Sequence, residues 1–426
     1  VSTYESSDSI DMNPRQLGFQ ETSVVEMFTP FTKYCSKIYS VDEVQSTFDT
    51  ALKSMFTDRY GPVLIDIPVN IQTSEIEDFS DNDVELPGQM YDNNIDNKLN
   101  ELNQLVIDSE RALFLLGNGV RLSGGIDLTK ELVEKTGIPF VVSWGGFDLL
   151  PHDHPQYVGD IGVYGSRGAN FAVQNCDLLI VLGSRLDTRQ TGGDVKLFSR
   201  HSKKVMADID ENEIFKGRGL SIDLPILNDV KDFAGKFLDI VQEKELESDW
   251  KNKIGEWKTK VYDTHGEGHQ LLNSYNFLET LNNYIPDNSI IIPDEGGNLV
   301  WSMQSLKLKE GQRMFSNFGN SSMGYALPAS IGAAIGSNKP VICIDGDGGF
   351  QMNIQELQTI KHYNILKNKF VGRYKDTFVK GKRFNNFGNA KETADYFDRS
   401  FLSNLKWDES LYSINPELFP KGESFL

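Results

Sequence analysis

The sequence predicts an α/β protein whose strands form parallel sheets. One series of apolar strands, separated by helix-like stretches, covers residues 111–116, 138–142, 177–183 and 204–210, with the last closing the series. A second series has strands at 289–294 and 340–345, with helices at 326–335 and 353–362. These strands are apolar along their whole length, as expected when helices cover both faces of a parallel sheet. A hydrophobic content of 39% fits globular domains of this kind.

The first segment of the chain contains one more helix and strand. Residues 41–56 have helical apolar spacing, and residues 61–68 form a short apolar strand bounded by turn residues. Together they predict the last helix and strand of an α/β domain. Because the sequence starts at Val1 without Met, we expect this start to be a fragment boundary rather than a natural N-terminus.

The net charge and the cysteine content indicate which partners and which cellular compartment to expect. The formal net charge of −19 argues against nucleic-acid or anionic-membrane partners, which need clustered Lys and Arg. The sequence has no apolar run of membrane length. Cys35, Cys176 and Cys343 are scattered, which favours a reducing compartment over a disulfide framework, so we expect a cytoplasmic protein.

The most informative motif is the glycine turn at residues 344–352. An apolar strand enters Gly346-Asp347-Gly348-Gly349, and a helix is predicted to follow. Glycines let a backbone approach a phosphate closely, while the carboxylate of Asp347 adds a hard oxygen ligand suited to Mg²⁺. Taken alone, Gly-Asp-Gly is equally well explained by a strand-to-helix turn with an Asp cap.

Several other motifs accompany this turn in a fixed order. They lie at residues 15–21, 32–33, 183–192, 294–298, 317–329 and 351–357. In order and spacing they resemble the thiamine-diphosphate-dependent enzymes of the acetolactate synthase family. The resemblance implies three Rossmann-like α/β domains: a partial pyrimidine-binding domain, a central domain and a partial diphosphate-binding domain.

The resemblance also implies roles for particular residues. Asp347 would bind Mg²⁺, and Met323 would hold thiamine in its bent form. Gln20 would lie near the second substrate. The diphosphate would be lined by Asn298, Gly346, Gly348 and Gly349. FAD, which some members hold in the central domain, would be bound by Arg185, Asp208 and Asp229.

The predicted domain boundaries follow from the strands and the linkers. Residues 1–72 are the C-terminal part of the pyrimidine-binding domain, and an acidic linker covers 73–97. The central FAD- or nucleotide-type domain covers 98–241, and a linker helix covers 242–270. Residues 271–365 are the N-terminal part of the thiamine-diphosphate-binding domain, and residues 366–426 form a tail without family resemblance.

By this resemblance the function is a decarboxylating carboligase that acts on a 2-oxo acid such as pyruvate, in a homodimer or homotetramer. Two alternatives stay open. One is a relative that ligates acetyl to another acceptor, such as a keto-sugar nucleotide, or that only decarboxylates, since Val69, Tyr164 and Thr188 differ from biosynthetic members. The other is an inactive remnant, because the activating Glu of the family is missing and Arg373 stands where the family has a metal-binding Asn. We interpret His152 and His154 as a surface turn rather than a metal site.

Overall fold

The computed structural model describes residues 21–76, 94–243, 248–260, 274–363 and 370–374, with isolated positions at 16, 19, 84, 86, 91, 92 and 365. The chain divides into two compact units. Unit 1 comprises Val1–Asn93 with Ile209–Asn212, and unit 2 comprises Asn94–Asp208 with Glu213–Leu426. No described helix is both long and apolar enough to cross a membrane.

Unit 1 contains two parallel strands, β1 (Tyr34–Lys37) and β2 (Val63–Asp66), with Tyr34 opposite Val63. Its helices are α1 (Val24–Phe28), α2 (Val44–Phe56) and α3 (Val69–Gln72). Short 3-10 turns cover Thr29–Phe31 and Val41–Glu43. The predicted helix and strand are therefore both present. Ile38, Val44 and Ile71 form the buried cluster of the unit.

The first sheet of unit 2 is entirely parallel, with the order β5-β4-β3-β6-β7-β8 in the described structure. The strands are β3 (Ala112–Leu116), β4 (Phe140–Val142), β5 (Tyr157–Asp160), β6 (Leu178–Leu182), β7 (Lys203–Asp208) and β8 (Leu224–Leu227). The helices of this part of unit 2 are α4 (Ile95–Asp108), α5 (Gly119–Leu122), α6 (Ile126–Thr136), α7 (Arg167–Asn175), α8 (Thr188–Thr191), α10 (Val230–Ile240) and α11 (Ser248–Lys260). Helix α9 (Glu211–Ile214) contains the chain boundary between the two units. Short 3-10 turns cover Trp144–Gly146 and Val195–Leu197.

Every residue of the central strands β3 and β6 is buried, which confirms the prediction of a sheet covered on both faces. One expectation was wrong: β7 does not close the series, because β8 pairs beside it. The short apolar run of β8 contains Pro225. Proline is tolerated at the edge of a sheet, but it makes the strand difficult to recognise in the sequence.

The second sheet of unit 2 is also parallel, in the order β10-β9-β11-β12. Its strands are β9 (Ile290–Pro293), β10 (Arg313–Met314), β11 (Val341–Asp345) and β12 (Phe370–Tyr374). The accompanying helices are α12 (Ser274–Asn282), α13 (Gly297–Ser305), α14 (Ala326–Gly336), α15 (Asp347–Met352) and α16 (Glu356–His362). The central pair β9–β11 places Asp294 and Asp345 at the same edge of the sheet, where their carboxyl ends meet.

Two loops at the carboxyl ends of β3 and β6 touch through their backbones. A Cβ added to Gly119 would lie 2.6 Å from the Cα of Gly183, and Gly183 itself has a φ of +57°. The Gly117-Asn118-Gly119 turn therefore has a structural reason for its glycines. Gly117 and Gly119 are both needed, because a Cβ at either position would collide with the backbone of the neighbouring loop.

Candidate functional site

A cavity of about 230 Å³ lies at the carboxyl ends of β9 and β11. Its walls include Phe277, Leu278 and Trp301. Six residues singled out in the sequence also line it: Asn298, Met323, Gly346, Asp347, Gly348 and Gly349. The structure thus brings together the metal, diphosphate and thiamine residues implied by the resemblance.

The glycine turn begins its helix earlier than expected. Helix α15 starts at Asp347, directly after Gly346, and ends at Met352. Asn353 interrupts the helical run, since its Nδ2 donates a hydrogen bond to the Gly324 carbonyl at 2.6 Å. The predicted helix over 353–362 is therefore wrong at its start, and α16 begins only at Glu356.

The Asp347 carboxylate lies at the mouth of this turn. Its Oδ1 accepts a hydrogen bond from the Gly348 amide at 2.9 Å, which holds the side chain close to its own backbone. A Cβ added to Gly346 would meet no heavy atom within 4 Å, so the space beside this backbone is open. The turn can therefore present both a carboxylate and an accessible backbone to a ligand.

Two buried acids support the turn from beneath. Asp294 is fully buried, and its carboxylate accepts hydrogen bonds from the amides of Gly324 at 3.0 Å and Ala326 at 2.9 Å. Burial, followed by the neighbouring Asp294, raises the pKa of Asp345 to about 8. Gly349 packs against both carboxyls. Sequence reasoning missed this pair, although each Asp follows or ends a buried apolar strand.

Asn298 and Met323 reach the cavity from two other segments. Asn298 Nδ2 donates to the carbonyl of Ile344 at 3.0 Å, so this side chain fixes the end of β11. Met323 Cε lies 3.1 Å from the position of a Cβ built on Gly348, and the residue is 50% exposed. Gly324 turns the chain there with a φ of +83°, which favours glycine.

A series of hydrogen-bonded polar side chains connects helix α8 with the cavity wall. Arg189 Nη2 donates to Ser321 Oγ at 2.9 Å, and Ser321 Oγ donates to Glu295 Oε2 at 2.7 Å. The Arg189 guanidinium also lies 5.3 Å from the ring centroid of Trp144. Burial raises the pKa of Glu295, whereas Ser321 and Arg189 oppose that rise. Sequence reasoning did not single out Glu295, because only the fold places it beside Arg189.

The three residues assigned to FAD lie outside this cavity. Arg185 Nε pairs with Glu213 Oε1 at 2.8 Å. Asp229 caps α10, accepting from the amide of Lys231 at 2.8 Å. Asp208 ends β7 and is half-buried. Flavin binding stays a prediction. Gln20, assigned near the second substrate, lies outside the described residues.

Residues 152–153 do form a turn, in which Asp153 is exposed, but the two histidine side chains pack inward and that part of the interpretation was wrong. His154 is buried, with its ring 5.4 Å from that of Phe140. His152 stacks on Tyr157 at 4.4 Å between ring centroids, and burial lowers its pKa to about 4. They pack inside the central domain because neighbouring aromatic side chains enclose them. No group of three or more His, Cys, Asp or Glu suited to a metal occurs in the described ranges.

The cavity residues fit a diphosphate accompanied by Mg²⁺. Protein Mg²⁺ sites commonly use one or two carboxylates and leave the remaining positions to phosphate oxygens and water. Asp347 can supply such a carboxylate, and the open space beside Gly346 can admit a phosphate group. A cation also suits the charge of this cavity, because Glu295 and Asp347 line it and no Lys or Arg is among its described lining residues.

Comparisons with known protein families agree with this site. A sequence model described as "Thiamine pyrophosphate enzyme, central domain" matches residues 99–237. A second, described as "Thiamine pyrophosphate enzyme, C-terminal TPP binding domain", matches residues 294–371. The second match begins at the buried acid Asp294, contains the whole glycine turn and continues into β12.

Similar full-length proteins carry related names. The chain is 33% identical to a probable acetolactate synthase large subunit of Methanocaldococcus jannaschii, over 82% of this chain and 60% of that protein. It is 31% identical to the acetolactate synthase large subunit of Lactococcus lactis, with the same coverage of each chain. For acetolactate synthase 1, chloroplastic, of Nicotiana tabacum the identity is 31%, over 89% of this chain and 59% of that protein. The chain thus spans about 60% of the length of the relatives it matches.

Proposed function

The chain belongs to the thiamine pyrophosphate enzymes, and from this membership we propose that its cavity holds thiamine diphosphate with Mg²⁺ for a decarboxylating carboligation of 2-oxo acids. The observation that carries the proposal is the convergence of Asn298, Met323 and the turn of Asp347 on one cavity. A 2-oxo acid such as pyruvate is the proposed substrate, because the relatives are named acetolactate synthases.

Each wall of the cavity has a distinct task. Asp347 holds Mg²⁺, while the backbone of Gly346 and Gly348 admits the diphosphate. Met323 supports the thiamine rings from the opposite segment. When bound, thiamine diphosphate supplies the electron sink that lets a 2-oxo acid lose CO₂. The side chains of Phe277 and Trp301 give that end of the site an apolar lining.

Calorimetric titration of the 426-residue chain with thiamine diphosphate tests the proposal. We expect binding with Mg²⁺ present, and a loss of affinity of at least about tenfold in Asp347→Ala, because removing the carboxylate weakens the cation. Asp287→Ala is the matched control, since Asp287 is 80% exposed and does not line the cavity. Equal affinities in the wild type and in Asp347→Ala would contradict the proposed role of Asp347.

A chain that binds the cofactor without turnover is the second candidate. The backbone register of β12 places Arg373 opposite Ile344, next to the strand that ends at the cavity. This is the position where the resemblance implied a metal-binding Asn. Release of CO₂ from pyruvate that depends on thiamine diphosphate would rule this candidate out. A product other than acetolactate would favour the relative with another acceptor, which the changed residues Val69, Tyr164 and Thr188 motivate.

We propose a homodimer or homotetramer, as the resemblance implies, and light scattering after gel filtration tests it. The net charge of −19 supports a protein with no nucleic-acid or membrane partner. Its three free cysteines support a cytoplasmic location. An absorbance spectrum of the purified protein tests for FAD.

A further inference from the structure

The described lining of the cavity is acidic. It includes the carboxyl groups of Glu295, Asp345 and Asp347 and contains no Lys or Arg. A diphosphate offers only oxygen acceptors and carries several negative charges. The carboxylates of Glu295 and Asp347 therefore disfavour a diphosphate that arrives without a cation, and their effect is strengthened where water is excluded.

Glu295 is held by side chains from two other segments, and like Asp345 it has a carboxyl oxygen that is shielded from solvent. Its Oε1 is shielded from solvent and lacks a hydrogen-bond partner in the described structure. Its Oε2 is fixed by Ser321, which Arg189 fixes in turn. Because both contacts restrain the side chain, it cannot easily turn away from a ligand. A shielded carboxylate oxygen without a partner costs free energy until a cation or a hydrogen-bond donor reaches it.

We propose that Glu295 makes diphosphate binding in this cavity conditional on a divalent cation. The carboxylate repels a bare diphosphate and attracts the metal that must accompany it, so the two ligands bind cooperatively. Arg189 and Ser321 are positioning residues that act through Glu295. The inference rests on the proposed function, because it assigns a task within the same site.

The first test measures cooperativity between Mg²⁺ and two probes, inorganic diphosphate and thiamine diphosphate. The dissociation constant of each probe is determined by calorimetry, once with Mg²⁺ present and once with EDTA. The coupling factor is the dissociation constant in EDTA divided by the dissociation constant in Mg²⁺. We expect Glu295→Gln to lower this factor by about tenfold, mainly through tighter binding in EDTA. Glu310→Gln removes the same charge from a side chain that is 82% exposed, and should leave the factor unchanged.

The positioning residues give a second, independent measurement. Arg189→Met removes the cation behind Glu295 and should raise the coupling factor, whereas Arg189→Lys should preserve it. In the Glu295→Gln background, Arg189→Met should have no further effect, because its action passes through the carboxylate. Ser321→Ala should shift the factor only when Glu295 is present.

The outcomes separate the two proposals. If the wild type binds the probes in Mg²⁺ while Glu295→Gln and Glu310→Gln have the same coupling factor, the role of Glu295 is wrong and the proposed function stands. If Arg189→Met changes the coupling factor as much in the Glu295→Gln background as in the wild type, the positioning roles are wrong. If the wild type binds neither probe in Mg²⁺ or EDTA, both proposals fall together.

Discussion

At position 349 the backbone passes so close to two carboxyl groups that no side chain fits. A Cβ added there would lie 2.0 Å from Asp294 Oδ2 and 2.6 Å from Asp345 Oδ1. Both acids are buried, so neither can move away into water. The neighbouring Gly346 has open space at the corresponding point. Two glycines of one motif therefore serve different purposes, packing at 349 and ligand access at 346.

Alanine substitutions should separate these purposes. We expect Gly349→Ala to lower the free energy of unfolding by about 1–3 kcal/mol, since the added methyl overfills a packed site. Gly346→Ala should change it by less than about 0.5 kcal/mol, yet weaken binding of thiamine diphosphate. Urea unfolding and calorimetry measure the two effects, and equal stabilities of the two variants would contradict this assignment.

Sequence alone could identify Asp347 because its motif is continuous along the chain. Asp294 and Asp345 could not be paired in this way, since 50 intervening positions hide that β9 and β11 are neighbours in the sheet. Glu295 is a similar case, because its partner Ser321 lies in a different loop. Local spacing therefore predicted the turn, whereas the electrostatic environment depends on tertiary contacts.

Among the elements, strand β5 ends in a buried acid. Asp160 is 3% exposed, and its Oδ2 is shielded from solvent without a hydrogen-bond partner in the described structure. Burial raises the pKa of Asp160 from 3.8 to about 7. At a pH below 3.8, the contribution of the protonated Asp160 to the free energy of unfolding is fully present. It is lost as the pH rises through 7, because Asp160 ionises at a lower pH in the unfolded chain than in the folded one.

Asp160→Asn should remove this pH dependence while keeping the size of the side chain. Between about pH 4 and pH 8, the wild type should lose at most about 4 kcal/mol of unfolding free energy through this group, and the variant should not. Urea unfolding across that range measures the difference. Asp153→Asn, at an exposed position, is the control. Parallel pH curves for the wild type and Asp160→Asn would refute the prediction.

At the scale of the whole molecule, one buried carboxylate joins the two sheets of unit 2. Asp148 follows β4, and its side chain is 1% exposed. It accepts hydrogen bonds from Arg121 Nη2 and from the backbone amide of Met314, both at 2.9 Å, and it pairs with Arg313. Met314 and Arg313 belong to β10 of the second sheet, so the central and cavity-bearing parts share one ionic junction.

Asp148→Asn should leave two arginines without a charged partner at this junction. We expect the free energy of unfolding of unit 2 to fall by about 3–5 kcal/mol, as for other broken buried ion pairs. Thermal unfolding followed by calorimetry should then resolve separate transitions for the two sheets. Asp287→Asn provides the exposed control. A single unshifted transition in Asp148→Asn would show that other contacts hold the parts together.

The sheets themselves were predicted more completely than the junction between them. Continuous apolar strands identify both sheets, because burial on two faces leaves little choice of residue. The Asp148 junction could not be inferred, since an isolated acid after a strand has the same appearance as a surface residue.

The parallel pairing of every described strand has a consequence for how the chain acquires its structure. A hairpin can close over a few residues, but each parallel neighbour must return through a crossover. The chain therefore loses the entropy of closing each loop before the favourable contacts of most strand pairs form. This slows folding relative to a helical bundle of equal stability. During synthesis, the middle strand β3 emerges before both of its neighbours, β4 and β6, and must wait for them.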